Sequence, residues 1–168
     1  EGIWRTVKEE TTVRRKDREI TDPEKIRAVI GECAVCRLGL ADGKRVYVVP
    51  VNFGHVEQEG HHVLYFHGAK EGRKMDLIRQ TGYAAFEMDA GYRLQGGEQA
   101  CDYTAAFRSV IGEGSVREIT DPEEKKAGLT AILRQSTGRD QWTYGPAMLA
   151  AVCVCRLDVE TLACKEHL

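Results

Sequence analysis

The dipeptide Asp42-Gly43 stands between two apolar runs, CAVCRLGL (33–40) and VYVVPVNFG (46–54). Asp-Gly suits the tight turn that joins antiparallel strands, so the pair predicts a hairpin. Pro50 interrupts the second run, and proline cannot donate to a ladder, which confines this strand to an edge or a bulge. The remaining chain is built in the same way. HHVLYFHG (61–68) reads as a strand after the polar turn HVEQEG (55–60), and GRKMDLIRQT (72–81) reads as a helix. YAAFEMD (83–89) is a strand, AGYRLQGGEQ (90–99) a glycine-rich loop, and DYTAAFRSVIGEGSVREI (102–119) a long strand bent at Gly112 and Gly114. AAVCVCRLDVE (150–160) is the last strand. Connections this short and this rarely helical exclude a doubly wound parallel sheet. The pattern predicts a mainly β, α+β domain: a six-stranded antiparallel barrel with short flanking helices.

The sextet EITDPE occurs twice, at 19–24 and 118–123. Each copy supplies a Thr or Asp N-cap, a first-turn proline and acids near the positive end of a helix dipole. Helices are predicted over Pro23–Gly31 and Pro122–Gln135. The second has a narrow stripe of Leu129, Ile132 and Leu133, so it should lie on the surface of the sheet. Residues 1–13 are mostly polar, with Trp4 the one residue that has much to bury, and are expected to form an extension, flexible or packed on a partner, to a domain over 14–168.

A net charge of −2 suggests neither a nucleic-acid nor a membrane partner, and no apolar run has the length of a spanning helix. A soluble, cytoplasmic protein is expected. Six cysteines raise the question of disulfides or zinc. Cys33 and Cys36, three apart in a strand, would point to opposite faces beyond disulfide reach. Cys153 and Cys155 share a face, but no second close pair or histidine accompanies them. Buried reduced thiols are the expectation, and no metal site is assigned. His55, His61 and His62 flank a polar turn and are read as solvated.

The stretch YFHGAKEGRK (65–74) follows a strand and opens a helix. Gly68 and Gly72 let the backbone bend around a bound group, and Lys70, Arg73 and Lys74 gather at helix amides that face outward. Together these make a phosphate cradle, though not a Walker A loop, since the spacing and the Mg²⁺-binding Ser or Thr are missing. The other reading is a solvated basic turn partly neutralised by Glu71 and Asp76. In VYVVPVNF, Asn52 is a lone amide among apolar neighbours. A planar heteroaromatic ligand would satisfy it, and so would a neighbouring loop. Ser109 sits between Phe107 and Ile111 on one strand face, as a ligand contact or as a small polar residue bonded to backbone. Trp142 and Tyr144 either cover a pocket mouth or pack on the barrel exterior.

In order and spacing, the runs RRKDREITDPE, VCRLGL…YVVPVNFG, LYFHGAKEGRKMDLIR, ACDYTAAFRSVIGEG and AMLAAV…RLDVE resemble one family. It is the nitroimidazole-resistance-protein-like branch of the pyridoxamine 5′-phosphate oxidase-like FMN-binding split barrels, and the resemblance spans about Arg14 to Leu168. It implies a six-stranded split barrel that forms a homodimer with FMN at the subunit interface. By the same resemblance, Lys70, Lys74 and Arg73 would meet the FMN phosphate. The flavin ring would lie along Val49, Pro50, Val51 and Asn52, with His67, Gly68 and Ala69 approaching ring and ribityl chain and Ser109 contributing from the long strand. His67 matches the family's active-site histidine. The implied activity is FMN-dependent reduction of nitroaromatic compounds, with electrons from NAD(P)H or a separate reductase. Other readings are a non-catalytic flavin-binding protein, a pyridoxamine phosphate oxidase and a haem-binding relative. The segment Gln95–Gln99 and the Gly112-Glu113-Gly114 variation match nothing in the family pattern.

Overall fold

The computed structural model describes residues 13–168. The expectation for residues 1–12, Trp4 included, lies outside them; Val13 is buried. Chain order is β1 (Glu19–Ile20), α1 (Pro23–Glu32), β2 (Cys36–Asp42), β3 (Arg45–Val51), β4 (Phe53–Gln58), β5 (His61–Gly68), α2 (Arg73–Thr81), β6 (Tyr83–Gln95), β7 (Thr104–Glu118), α3 (Pro122–Thr137), α4 (Pro146–Ala151) and β8 (Cys153–His167). Single 3-10 turns precede β1 and β7. Both EITDPE copies act as predicted: Asp22 accepts from the Glu24 N–H at 2.9 Å, and Asp121 from the Glu124 N–H at 2.7 Å.

The strands run antiparallel in the order β3-β2-β6-β7-β8-β5-β4, with β1 beside β8. The two ends of this path, β3 and β4, are joined through Asn52 alone. A single residue spans at most about 3.5 Å, so the sheet must curl until its edges nearly meet. That makes a barrel split between β3 and β4. Pro50 stands on the edge strand β3, opposite Arg37 of β2, as its missing N–H requires.

The sheet therefore has eight strands, not six. VYVVPVNFG is two strands that change partners at Asn52, and the supposed polar turn HVEQ belongs to β4, paired with β5. Half of the supposed glycine-rich loop extends β6 to Gln95 across a bulge between Ala90 and Arg93. Gly91 supplies the positive φ of that bulge, 67°. Cys33 caps the end of α1 rather than starting a strand, and α4 and β1 were not expected.

Leu38, Leu40, Phe53, Leu64, Phe66, Met88, Val110 and Leu157 fill the barrel, all at most 2% exposed. Each such side chain contributes about 1.5–3 kcal/mol relative to exposure. A second cluster lies outside, where Leu129, Ala131 and Ile132 of α3 cover Val63, Tyr65 and Val154. A side chain at Gly54 would collide with the backbone of Ala131 and Ile132, so glycine sets how closely α3 approaches β4. Among the described residues no helix is long and apolar enough to cross a membrane.

Candidate functional site

Strand β5 delivers His67 and Gly68 to the barrel mouth, and the chain crosses Ala69–Gly72 to begin α2. Gly72 adopts φ 118°, ψ 163°, which side-chain-bearing residues rarely do. Unlike α1 and α3, α2 has no side-chain cap. The first-turn N–H groups of Arg73, Lys74 and Met75 have no backbone acceptor among the described residues. Phe53 pairs with Phe66, so one step further along the register Asn52 stands level with His67. The split between β3 and β4 thus brings the end of VYVVPVN beside the start of HGAK.

The three predicted cations are placed differently. Arg73 donates to Asp42 of β2 at 2.7 Å, and its guanidinium lies 4.6 Å from the Tyr47 ring centroid. Lys70 is exposed, and its backbone carbonyl accepts from Arg79 at 2.9 Å. Lys74 is half-buried and turns back over the barrel mouth. Its Nζ is 5.9 Å from the Phe66 ring centroid and makes one long hydrogen bond, 3.5 Å to the His67 carbonyl. A Cβ on Gly68 would come within 2.6 Å of that Nζ. Neither lysine has a carboxylate within ion-pair distance among the described residues, in contrast to Arg73. An ammonium with three donors and one weak acceptor, beside uncapped amides, is suited to an anion.

His67 is exposed at the end of β5. Partial desolvation of the ring, and then the charge of Lys74, lower its pKa from the ordinary 6.5. The imidazole is therefore neutral at pH 7. Val51 is buried, Val49 packs against the core, and Pro50 and Asn52 are exposed. Ser109 does not join this group. It pairs with Asp89 of β6 on β7, three strands from β3, or about 14 Å along the sheet. Arg37, ion-paired to Glu87 at 2.9 Å and Asp89 at 2.7 Å, stands between.

A groove with no cradle residue in its lining lies elsewhere on the sheet. It occupies about 460 Å³ on the outer sheet face, lined by Arg37, Gly39, Val48, Ala85, Ile111 and Thr161 among others. Exposed Val46 continues this apolar face along β3. Trp142 and Tyr144 pack on the exterior: the indole donates to the Arg139 carbonyl, and the Tyr144 hydroxyl pairs with Thr130 of α3. His55 and His62 are part-buried and hydrogen-bonded to each other at 2.9 Å, not solvated. Among the described residues no three His, Cys, Asp or Glu side chains gather as a metal site. Sequence reasoning missed Asp42, Arg79 and Glu118, whose places depend on pairing between distant segments.

Residues 22–166 match the pyridoxamine 5′-phosphate oxidase family. The chain belongs to this family. Within the fold it is similar to a candidate 5-nitroimidazole antibiotic resistance protein of Bacteroides thetaiotaomicron. The two are 30% identical, the match covers 88% of this chain and 86% of that one, and the TM-score is 0.75. A flavocytochrome of Azotobacter vinelandii is 20% identical over 94% of this chain and 72% of that one, with a TM-score of 0.74. An FAD- and heme-binding protein of Mycobacterium smegmatis is 17% identical over 89% and 73%, with a TM-score of 0.76. These last two share the fold at low identity. No curated protein matches the sequence.

Proposed function

We propose that the protein is an FMN-dependent oxidoreductase that reduces nitroaromatic compounds. The observation that carries this reading is the Lys74 ammonium, on a partly buried side chain and unpaired with any carboxylate among the described residues, beside the uncapped start of α2. The 30% identity to the candidate nitroimidazole resistance protein supports the choice of acceptor.

In this reading the amides of Arg73 to Met75, with Lys70 and Lys74, hold the FMN phosphate. Arg73 bridges to Asp42 and fixes the helix start against β2. Val49, Pro50, Val51 and Asn52 form the bed of the flavin ring, and His67, Gly68 and Ala69 border it. Bound FMN supplies the hydride or electron chemistry that no protein side chain provides. His67, neutral at pH 7, donates a hydrogen bond to the acceptor and becomes a proton source as the pH falls. NAD(P)H or a separate reductase furnishes the electrons.

A homodimer completes the site. Ser109 stands three strands from β3 in its own chain, so in this reading it serves the site of the second copy. The exposed apolar face around Val46, Val48 and Ile111 offers the surface for that contact. Six free thiols favour a reducing, cytoplasmic setting.

The test is an anaerobic spectrum of FMN-loaded protein mixed with NADPH or NADH and then a nitroimidazole. The flavin band should bleach and return as the nitro absorbance is lost. Stable FMN binding without acceptor-dependent reoxidation would make the protein a flavin carrier, and failure to bind FMN would end the proposal.

A further inference from the structure

Arg79, in the last turn of α2, reaches back along its own helix. Its Nη2 donates to the Lys70 carbonyl at 2.9 Å and to Glu118 Oε2 at 2.7 Å, and its Nε donates to the same carboxylate oxygen at 3.1 Å. Glu118 closes β7, so a strand end is tied through one guanidinium to the loop between β5 and α2. The hydrogen bond from Arg79 holds the Glu118 carboxyl below its usual pKa, so both groups are charged at neutral pH.

In a trans peptide the carbonyl and the following N–H point to opposite sides. A Lys70 carbonyl turned toward Arg79 therefore sends the Glu71 N–H the other way. That N–H has no backbone acceptor among the described residues, and Gly72 with its positive φ follows at once. Without the guanidinium, the Lys70–Glu71 peptide would be free to turn its carbonyl toward a bound anion, which repels it. The positive charge of Arg79 is itself offset by Glu118, so Arg79 acts by geometry rather than as a phosphate ligand.

We infer that Arg79, braced by Glu118, is a positioning residue that keeps the loop's N–H groups turned to the ligand phosphate. This rests on the phosphate reading above. Arg79 fixes one peptide plane, whereas Lys74 supplies charge. The two contributions separate when a phosphorylated flavin is compared with one that lacks the phosphate.

The experiment measures the dissociation constants of FMN and riboflavin by quenching of flavin fluorescence. Wild type, Arg79→Met, Arg79→Lys, Glu118→Gln and Lys74→Met are compared, each with its thermal melt. Arg79→Met should lower the preference for FMN over riboflavin about tenfold through FMN alone, the worth of one charge-assisted hydrogen bond. Arg79→Lys should restore it only in part, because a shorter, flexible ammonium lacks the planar fork whose Nε and Nη2 together grip Glu118 while Nη2 reaches the carbonyl. Glu118→Gln should lower it by a smaller factor. Equal weakening of both flavins by Arg79→Met would reduce its role to holding α2 against β7 and overturn the inference. So would an unchanged preference in a protein where Lys74→Met abolishes it, and that result would leave the phosphate reading standing. A wild type that binds both flavins alike refutes the phosphate reading itself.

Discussion

Acid should weaken this fold through one histidine pair, and the size of the effect can be worked out. His55 on β4 and His62 on β5 have ring nitrogens 2.9 Å apart and ring centroids 5.1 Å apart. Burial, and then the proximity of His62, push the His55 pKa down to about 4 from 6.5. Glu57 opposes the shift, but it is engaged by Arg27 at 2.9 Å. The folded state thus binds a proton at His55 less readily than the unfolded state. The stability tied to the neutral ring is complete above pH 6.5 and is lost as the pH falls from there through about 4. Linkage sets the loss between pH 7 and pH 5 at about 2 kcal/mol, with a ceiling of about 3 kcal/mol at lower pH. That is an appreciable part of the about 5–15 kcal/mol by which folded domains are stable. Urea unfolding at the two pH values should show wild type losing about 2 kcal/mol more than His55→Gln, which keeps a polar partner for His62 but cannot titrate. Parallel losses in the two proteins would refute the argument.

Other expectations follow from single contacts. Gly54→Ala should cost about 3 kcal/mol in chemical denaturation, the upper end for overpacking, because the new methyl meets α3 backbone rather than a side chain that can move. Five of the six cysteines are buried and Cys101 is exposed, so a thiol reagent should titrate one group in the native protein and six after denaturation. Burial raises Cys33 and Cys36 to about 12, which adds to their protection. Lys70→Ala with Lys74→Ala should weaken FMN binding at least tenfold with an unchanged circular dichroism spectrum, as two charge-assisted contacts are lost; intact affinity would move the phosphate elsewhere. If His67 supplies a proton, nitro reduction should slow as the pH rises through a pKa below 6.5, and His67→Ala should lose that dependence while retaining its flavin.

Local chemistry was legible in the sequence wherever one residue decides the backbone. The Asp42-Gly43 turn, with Gly43 at φ 60°, closes the β2–β3 hairpin, and both Thr-Asp-Pro-Glu caps start helices at the expected prolines. Pro50 announced an edge strand. What escaped was the choice of partner. Alternation of side chains is the same whichever strand lies alongside, so nothing in VYVVPVNFG shows that it leaves one sheet edge at Asn52 and enters the other. The extension of β6 was hidden for a similar reason, since Gly91 reads as a loop signal where it serves a bulge. Ser109 was placed by its own strand pattern, which says nothing of the two strands, β2 and β6, that lie between it and β3.

The same limit explains why the basic stretch looked uniform. Lys70, Arg73 and Lys74 lie within five residues, but partners from distant strands give them separate tasks. Asp42, brought by β2, takes up Arg73. Glu118, brought by β7, takes up Arg79 and through it the carbonyl of Lys70. The Lys74 ammonium keeps only a long bond to the His67 carbonyl. A merely solvated turn would leave all its cations at the surface. Here the two arginines are tied to carboxylates while one lysine is drawn over the barrel mouth, an arrangement that leaves charge uncompensated where a ligand's phosphate would lie.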